Sequence, residues 1–362
     1  MLSDSNKLRQ HGGNLKAVFQ KYGPRDYLDF SANINPLGLA PAVEQALHES
    51  IKEVINYPEP DAVTFNRAAA GYLGLDPRWV ISGNGAAELI YLLVRAINPR
   101  KVIIPVPTFS EYELAAASVD AQVIPVFLRA EDRFAWNADT IIETMAQGDL
   151  LFLCNPNNPV GNLIGQESML LILKAAEEHG TLVVVDESFR DFVDDMPTAL
   201  PFLQDFQNLV VLYSLTKFFA LPGLRLGCAI SQPQLIGRLK AMKDCWSVNT
   251  LAQIAGCTAT KETEYISNTK EIISVERDYL YGELQKIVGL DPYNPAANYI
   301  FLDISRTGFG SGLLRERLIE KGVIVRDCAT YPTLEDKYIR VAVKLRPENI
   351  KLVHALQEVL EG

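Results

Sequence analysis

One lysine and one arginine share an irregular loop. In SLTKFFALPGLRLG, residues 214 to 227, Lys217 and Arg225 lie between the apolar runs 209–213 and 225–230, which read as strands. Pro222 and Gly223 keep the intervening segment from forming a helix. The connection is too short for a parallel crossover, so the pair is predicted to be antiparallel within an otherwise parallel sheet. Burial in such a bend disfavours an ammonium and leaves Lys217 as the neutral amine that condenses with a carbonyl. Arg225 offers a planar fork for a phosphate, with the hydroxyls of Ser214 and Thr216 nearby. An amine for an aldehyde beside donors for a phosphate suggests pyridoxal 5'-phosphate (PLP). The loop by itself is equally consistent with a solvated basic turn.

PLP also needs a carboxylate for its pyridine nitrogen, a plate for its ring and further anion donors. Asp186 ends an apolar run and could hold the pyridinium proton, although a lone acid there would read as a helix cap. Phe109 is a candidate ring plate or plain packing. Asn158, in NPNNPVG, could donate to the phenolic oxygen, although that run is also turn chemistry. In ISGNGAAE, Gly85, Ala86 and Ala87 open a strongly apolar helix whose N–H groups and dipole suit an anion. Neither GxxxxGK[ST] nor GxGxxG occurs, which argues against a P-loop and a dinucleotide oxidoreductase.

The elements that must position these residues alternate. Strands are predicted at 101–106, 122–127, 150–154, 181–186 and 209–213, and helices near 41–55, 63–72, 110–118, 138–145, 166–179, 234–243 and 263–287. That is a doubly wound α/β sheet, whose ligands bind beyond the carboxyl ends of its strands. Strands at 299–303 and 338–343 with helices at 313–321 and 348–359 make a smaller α+β unit. We therefore expect an arm over 1–35, a large domain over 36–258 and a small domain over 259–362. The arm, with HGGN at 11–14 and DFSANINP at 29–36, shows little period and reads as surface chain or, more sharply, as a lid.

The composition sets limits. With 34 basic and 44 acidic residues the net charge is −10, and no basic patch offsets it, which argues against nucleic acid and anionic membranes as partners. Five cysteines without zinc-like spacing predict neither a metal site nor a disulfide framework, and point to a reduced, cytoplasmic protein. No apolar run approaches the roughly 18 residues of a membrane span.

The order GNGAAE, PTF, NPNNPVG, DESF and SLTKFFALPGLRLG resembles the fold-type I PLP enzymes, and within them the histidinol-phosphate aminotransferase group. HGGN and DFSANINPLG resemble a decarboxylase subgroup acting on a phosphorylated amino acid. The resemblance implies a mostly parallel sheet flanked by helices, with a smaller α+β C-terminal domain. It implies that Lys217 carries the Schiff base, Asp186 pairs with the pyridine nitrogen, Asn158 reaches the phenolic oxygen and Phe109 stacks. Gly85, Ala86, Ser214, Thr216 and Arg225 would hold the cofactor phosphate, with Tyr57 reaching across from a second subunit of a homodimer. Arg340 would bind the substrate carboxylate, assisted by Arg346, and His11 and Asn33 the substrate's own phosphate. Two positions depart from the aminotransferase pattern: Phe189 stands where tyrosine is usual, as in the decarboxylase subgroup, and Val160 where threonine is usual. A PLP-fold regulator is the rival from another class, but no length remains for a DNA-binding module.

Overall fold

The computed structural model describes residues 11–361. The chain opens with the helix Leu15–Tyr22, started by Asn14, whose side chain accepts from the Ala17 N–H, and continues to a two-residue strand β1 (Leu28–Asp29). Neither was expected from the sequence. Eight residues with Val18 as their single buried side chain give too short a period to read. Nor is the arm surface chain throughout: Phe30, Ser31, Asn33 and Asn35 are all buried. Their backbone groups find partners at both ends, which makes burial tolerable. The Phe30 N–H donates to the Ile324 carbonyl (2.8 Å), and the Asn35 N–H donates to the Lys217 carbonyl (3.0 Å).

Seven strands then form one sheet: β2 (Val80–Asn84), β3 (Lys101–Val106), β4 (Gln122–Phe127), β5 (Leu150–Cys154), β6 (Leu182–Asp186), β7 (Leu209–Ser214) and β8 (Leu226–Ser231). Their spatial order is β2-β8-β7-β6-β5-β3-β4. Strand β8 pairs antiparallel with both β2 and β7, and the other pairings are parallel. The 214–225 bend is thus the antiparallel connection that its length required. Alternation divides the central strands between two cores. Val183 and Val185 pack with Leu173 on one face, while Val184 packs with Leu93 on the other.

The helix Thr250–Ala259 was also unforeseen. Asn249 caps it by accepting from the Ala252 N–H, and Gly256 lets it approach Phe65 so closely that a Cβ would lie 2.4 Å from that ring. Helix Thr263–Leu284 then leads to β9 (Asp291–Pro292), β10 (Tyr299–Asp303), β11 (Val323–Ile324), β12 (Arg326–Asp327) and β13 (Tyr338–Ala342). β11 pairs in parallel with β1; the others form an antiparallel sheet in the order β12-β13-β10-β9. Its register sets Arg326 directly opposite Arg340.

Candidate active site

Strands β2, β3, β5, β6 and β7 run the same way, so their carboxyl ends share one edge, and the reversed β8 begins at that edge. Gly85 follows β2, Asp186 closes β6, Ser214 closes β7, and Arg225 immediately precedes β8. A cavity of about 120 Å³ lies there, walled by Lys217, Asp186, Asn158, Phe109, Thr216 and Arg225. Ala86, Ser214 and Phe189 also border it.

The Lys217 Nζ donates to the Ser214 Oγ (3.1 Å) and stands 5.4 Å from the centre of the Phe189 ring. Burial pulls its pKa below the ordinary lysine value, Asp186 opposes this, and Arg225 and Arg340 add to it. The amine is therefore shifted toward its nucleophilic, neutral form. Burial pushes the neighbouring Cys154 thiol up to about 12, which keeps it protonated and unreactive.

Asp186 is buried, and both its oxygens are held. Oδ1 accepts from the Ser188 N–H (2.9 Å) and Oδ2 from the Tyr112 hydroxyl (2.8 Å). Sequence reading had missed Tyr112. Its ring is fully buried, stacked on Phe152 at 4.7 Å and set edge-on to Phe109 at 5.6 Å. The available signal was its position one helical turn after Phe109.

The anion cradle depends on missing side chains. Gly85 has φ +79°, and a Cβ there would lie 2.5 Å from Arg225 Nη2. A Cβ on Gly227 would lie 2.7 Å from the Ala86 nitrogen. Both glycines are needed for the guanidinium and β8 to pass the start of the helix Gly85–Ile97 this closely. The Ser214 and Thr216 hydroxyls meet at 2.8 Å beside Lys217. A helix start, an arginine fork and paired hydroxyls suit a phosphate monoester. With an amine, a held carboxylate and a flat ring in the same wall, the donor set fits PLP.

Arg340, on β13, contacts the wall of this cavity through Asn158. Its Nη2 donates to the Ser31 carbonyl (2.9 Å), its Nη1 to Asn158 Oδ1, and its guanidinium lies 5.3 Å over the Tyr299 ring. Among the described residues, Arg340 Nε and both polar atoms of the Asn33 amide are buried without a partner. Buried polar groups of this kind call for a ligand or water.

His11 does not line the Lys217 cavity. Its Nε2 meets Glu111 Oε1 at 2.8 Å, its ring lies 5.7 Å from Phe109, and it borders an adjoining cavity of about 270 Å³ with Arg315, Arg326 and Thr330. Arg326 had not been singled out. It is buried, donates to the Thr330 Oγ1 (2.8 Å) and lies over the Tyr331 ring at 5.3 Å.

One expected residue, Arg346, stands elsewhere, and Tyr57, expected to serve a second subunit, faces outward. Tyr57 is 80% exposed and stacks on Trp246 at 4.7 Å, outside the cavity. Arg346, expected to assist Arg340, is committed to other partners. It begins the helix Arg346–Glu361, pairs through Nε with Glu276 (3.0 Å) and lies 3.7 Å over the Tyr279 ring. That ion pair consumes the charge a substrate would have used.

Residues 25–356 match the family described as aminotransferase class I and II, and the chain belongs to it. It is 34% identical over 357 residues to the threonine-phosphate decarboxylase of Salmonella typhimurium, covering 97% of each chain. The crystal structure of the histidinol-phosphate aminotransferase from Clostridium acetobutylicum superposes with a TM-score of 0.86 at 30% identity, covering 92% of this chain and 99% of that one. The same enzyme from Sinorhizobium meliloti, solved in complex with PLP, superposes with a TM-score of 0.87 at 20% identity, covering 100% and 98%. The fold is that of the fold-type I PLP-dependent enzymes.

Proposed function

We propose that this PLP-dependent enzyme decarboxylates L-threonine O-3-phosphate to (R)-1-amino-2-propanol O-phosphate, a step of cobalamin biosynthesis. The observation that carries the reading is the pairing of Arg326 with Arg340 on adjacent strands. The two are only 8% and 5% exposed; Arg326 borders one of two adjoining cavities, and Arg340 holds Asn158 in the wall of the other. Buried arginines at this separation suit a small substrate with an anion at each end. Arg340 takes the carboxylate, and Arg326 the phosphate with His11 and Asn33. Likeness to the Salmonella decarboxylase supports the same reading.

PLP held at Lys217 would supply an electron sink for the bond broken at the substrate Cα. The chain's own task is to choose that bond. Gripped at both ends, the substrate would present its Cα–carboxylate bond to that sink, so that the bond's electrons stay behind as CO2 leaves. Lys217, having taken up a proton from the substrate's ammonium group, would deliver it to Cα. Asp186, held by Tyr112 and Ser188, keeps the pyridine nitrogen protonated, while Gly85, Ala86, Ser214, Thr216 and Arg225 fix the cofactor phosphate.

The rival reading, a histidinol-phosphate aminotransferase, is favoured by the likeness to the Clostridium enzyme. Incubation with threonine phosphate separates them. CO2 release without consumption of a keto acid is expected; transfer of the amino group to 2-oxoglutarate with no CO2 overturns the decarboxylase reading.

The assembly belongs to the same proposal. Ile51, Val54, Ile55, Tyr57 and Trp246 form a run of exposed apolar side chains, a surface suited to a second copy that would receive Tyr57 into its site. Among the described residues no helix is long and apolar enough to cross a membrane. The five unpaired cysteines, three of them buried, suit the reducing, cytoplasmic setting that belongs to this proposal.

A further inference from the structure

We propose that Tyr331 is a positioning residue that fixes the Asn158 amide toward the cofactor and links it to the anion cavity at Arg326. This rests on the PLP reading above. Tyr331 lies between β12 and β13 and is 6% exposed. Its hydroxyl is 3.2 Å from Asn158 Oδ1, the same atom that Arg340 Nη1 meets.

An arginine can only donate, so the shared atom must be the amide oxygen, and the Tyr331 hydroxyl donates to it as well. Both lone pairs are then used. Among the described residues the Asn158 Nδ2 has no hydrogen-bond acceptor, and Asn158 borders the Lys217 cavity. The amide is thereby oriented with its N–H groups left for the cofactor's phenolic oxygen. Phe189, in the same wall, has no hydroxyl to share that duty.

Two donors on the amide oxygen polarise the group and strengthen donation from Nδ2. Stronger donation stabilises negative charge on the phenolic oxygen, weakens its hold on the Schiff-base proton, and lowers the pH at which that proton leaves. The Arg326 guanidinium lies over the Tyr331 ring at 5.3 Å, a cation–π contact. The ring therefore seats the phosphate-binding arginine while its hydroxyl sets the amide.

The test is a pH titration of the visible absorbance of the PLP-loaded protein. Tyr331→Phe keeps the ring and loses the hydroxyl, so the midpoint should rise by roughly half a pH unit, the scale of one redistributed hydrogen bond. Its KM for O-phospho-L-threonine should stay within about twofold, whereas Tyr331→Leu, which removes the platform under Arg326, should raise KM by roughly tenfold. In an Asn158→Ala background, Tyr331→Phe should produce no further shift. A midpoint that Tyr331→Phe leaves in place, or an equal shift without Asn158, overturns the inference alone. A parent protein with no visible band overturns the PLP reading with it.

Discussion

The two adjoining cavities are built on different plans. The Lys217 cavity is assembled from the carboxyl ends of five parallel strands and the start of a sixth, reversed one, all part of one seven-stranded sheet. The His11–Arg326 cavity is assembled from the arm, a two-residue strand and the loop that follows it. A wide sheet fixes side chains at its edge because its inner strands are braced on both sides and covered on both faces. The second cavity has only short strands for a frame, with Arg326 on an edge strand of the four-stranded sheet, and depends on burial of Arg326 and on the ring of Tyr331. Under the proposed function, cofactor chemistry would stand on the wide sheet and substrate selection on the part assembled from separate segments, a division that would let specificity vary without disturbing the fold.

The sharpest break of this comparison comes from the lysine. Lys217→Ala should abolish the visible band of the PLP-loaded protein. Turnover should fall by more than the roughly 10²–10⁴-fold of a lost acid–base group, because covalent attachment is lost as well. A retained band would mean that another amine carries the cofactor.

Next in size is Arg326→Ala, which should leave the band untouched. Truncating one partner of a buried charged contact costs about 2–5 kcal/mol, so kcat/KM for threonine phosphate should fall roughly 30- to 5,000-fold. An effect on the band as large as that on kcat/KM would show the two cavities to be one functional unit.

The smallest effect concerns stability. In cofactor-free protein the Lys217 pKa lies below its unfolded value of 10.5. As pH rises through the lowered value, the native state sheds a proton that the unfolded chain keeps until near 10.5, so over that window stability climbs with pH. Lys217→Met lacks this dependence. Its advantage in Tm over the parent should be greatest below the lowered pKa and shrink as pH approaches 10.5. A difference that stays constant with pH would show that burial does not hold the amine down.

The same contrast explains what could be read in the sequence. The strands 101–106, 122–127 and 150–154 were legible to the residue, because strands within a wide sheet are unbroken runs bounded by turn residues. Lys217, Asp186, Asn158 and Phe109 followed from strand ends. Tyr112, Tyr331 and Arg326 did not, since their roles depend on partners brought together by folding. Tyr112 meets Asp186 from 74 positions away and Tyr331 meets Asn158 from 173, and no local pattern records either. Arg346 misled for the converse reason. It is near Arg340 in sequence, yet a helix begins at it and turns its charge toward Glu276.

The arm's passage behind the reactive loop has a practical consequence. The backbone of Asn35 is bonded to the carbonyl of Lys217, and its side chain to that of Phe218 (2.8 Å), while Ser31 holds Arg340 by its carbonyl. A break in the chain between Ser31 and Asn35 would cut the tether between two halves of the catalytic centre. Such a clip, far from Lys217 in sequence, would loosen Arg340 from the reactive loop.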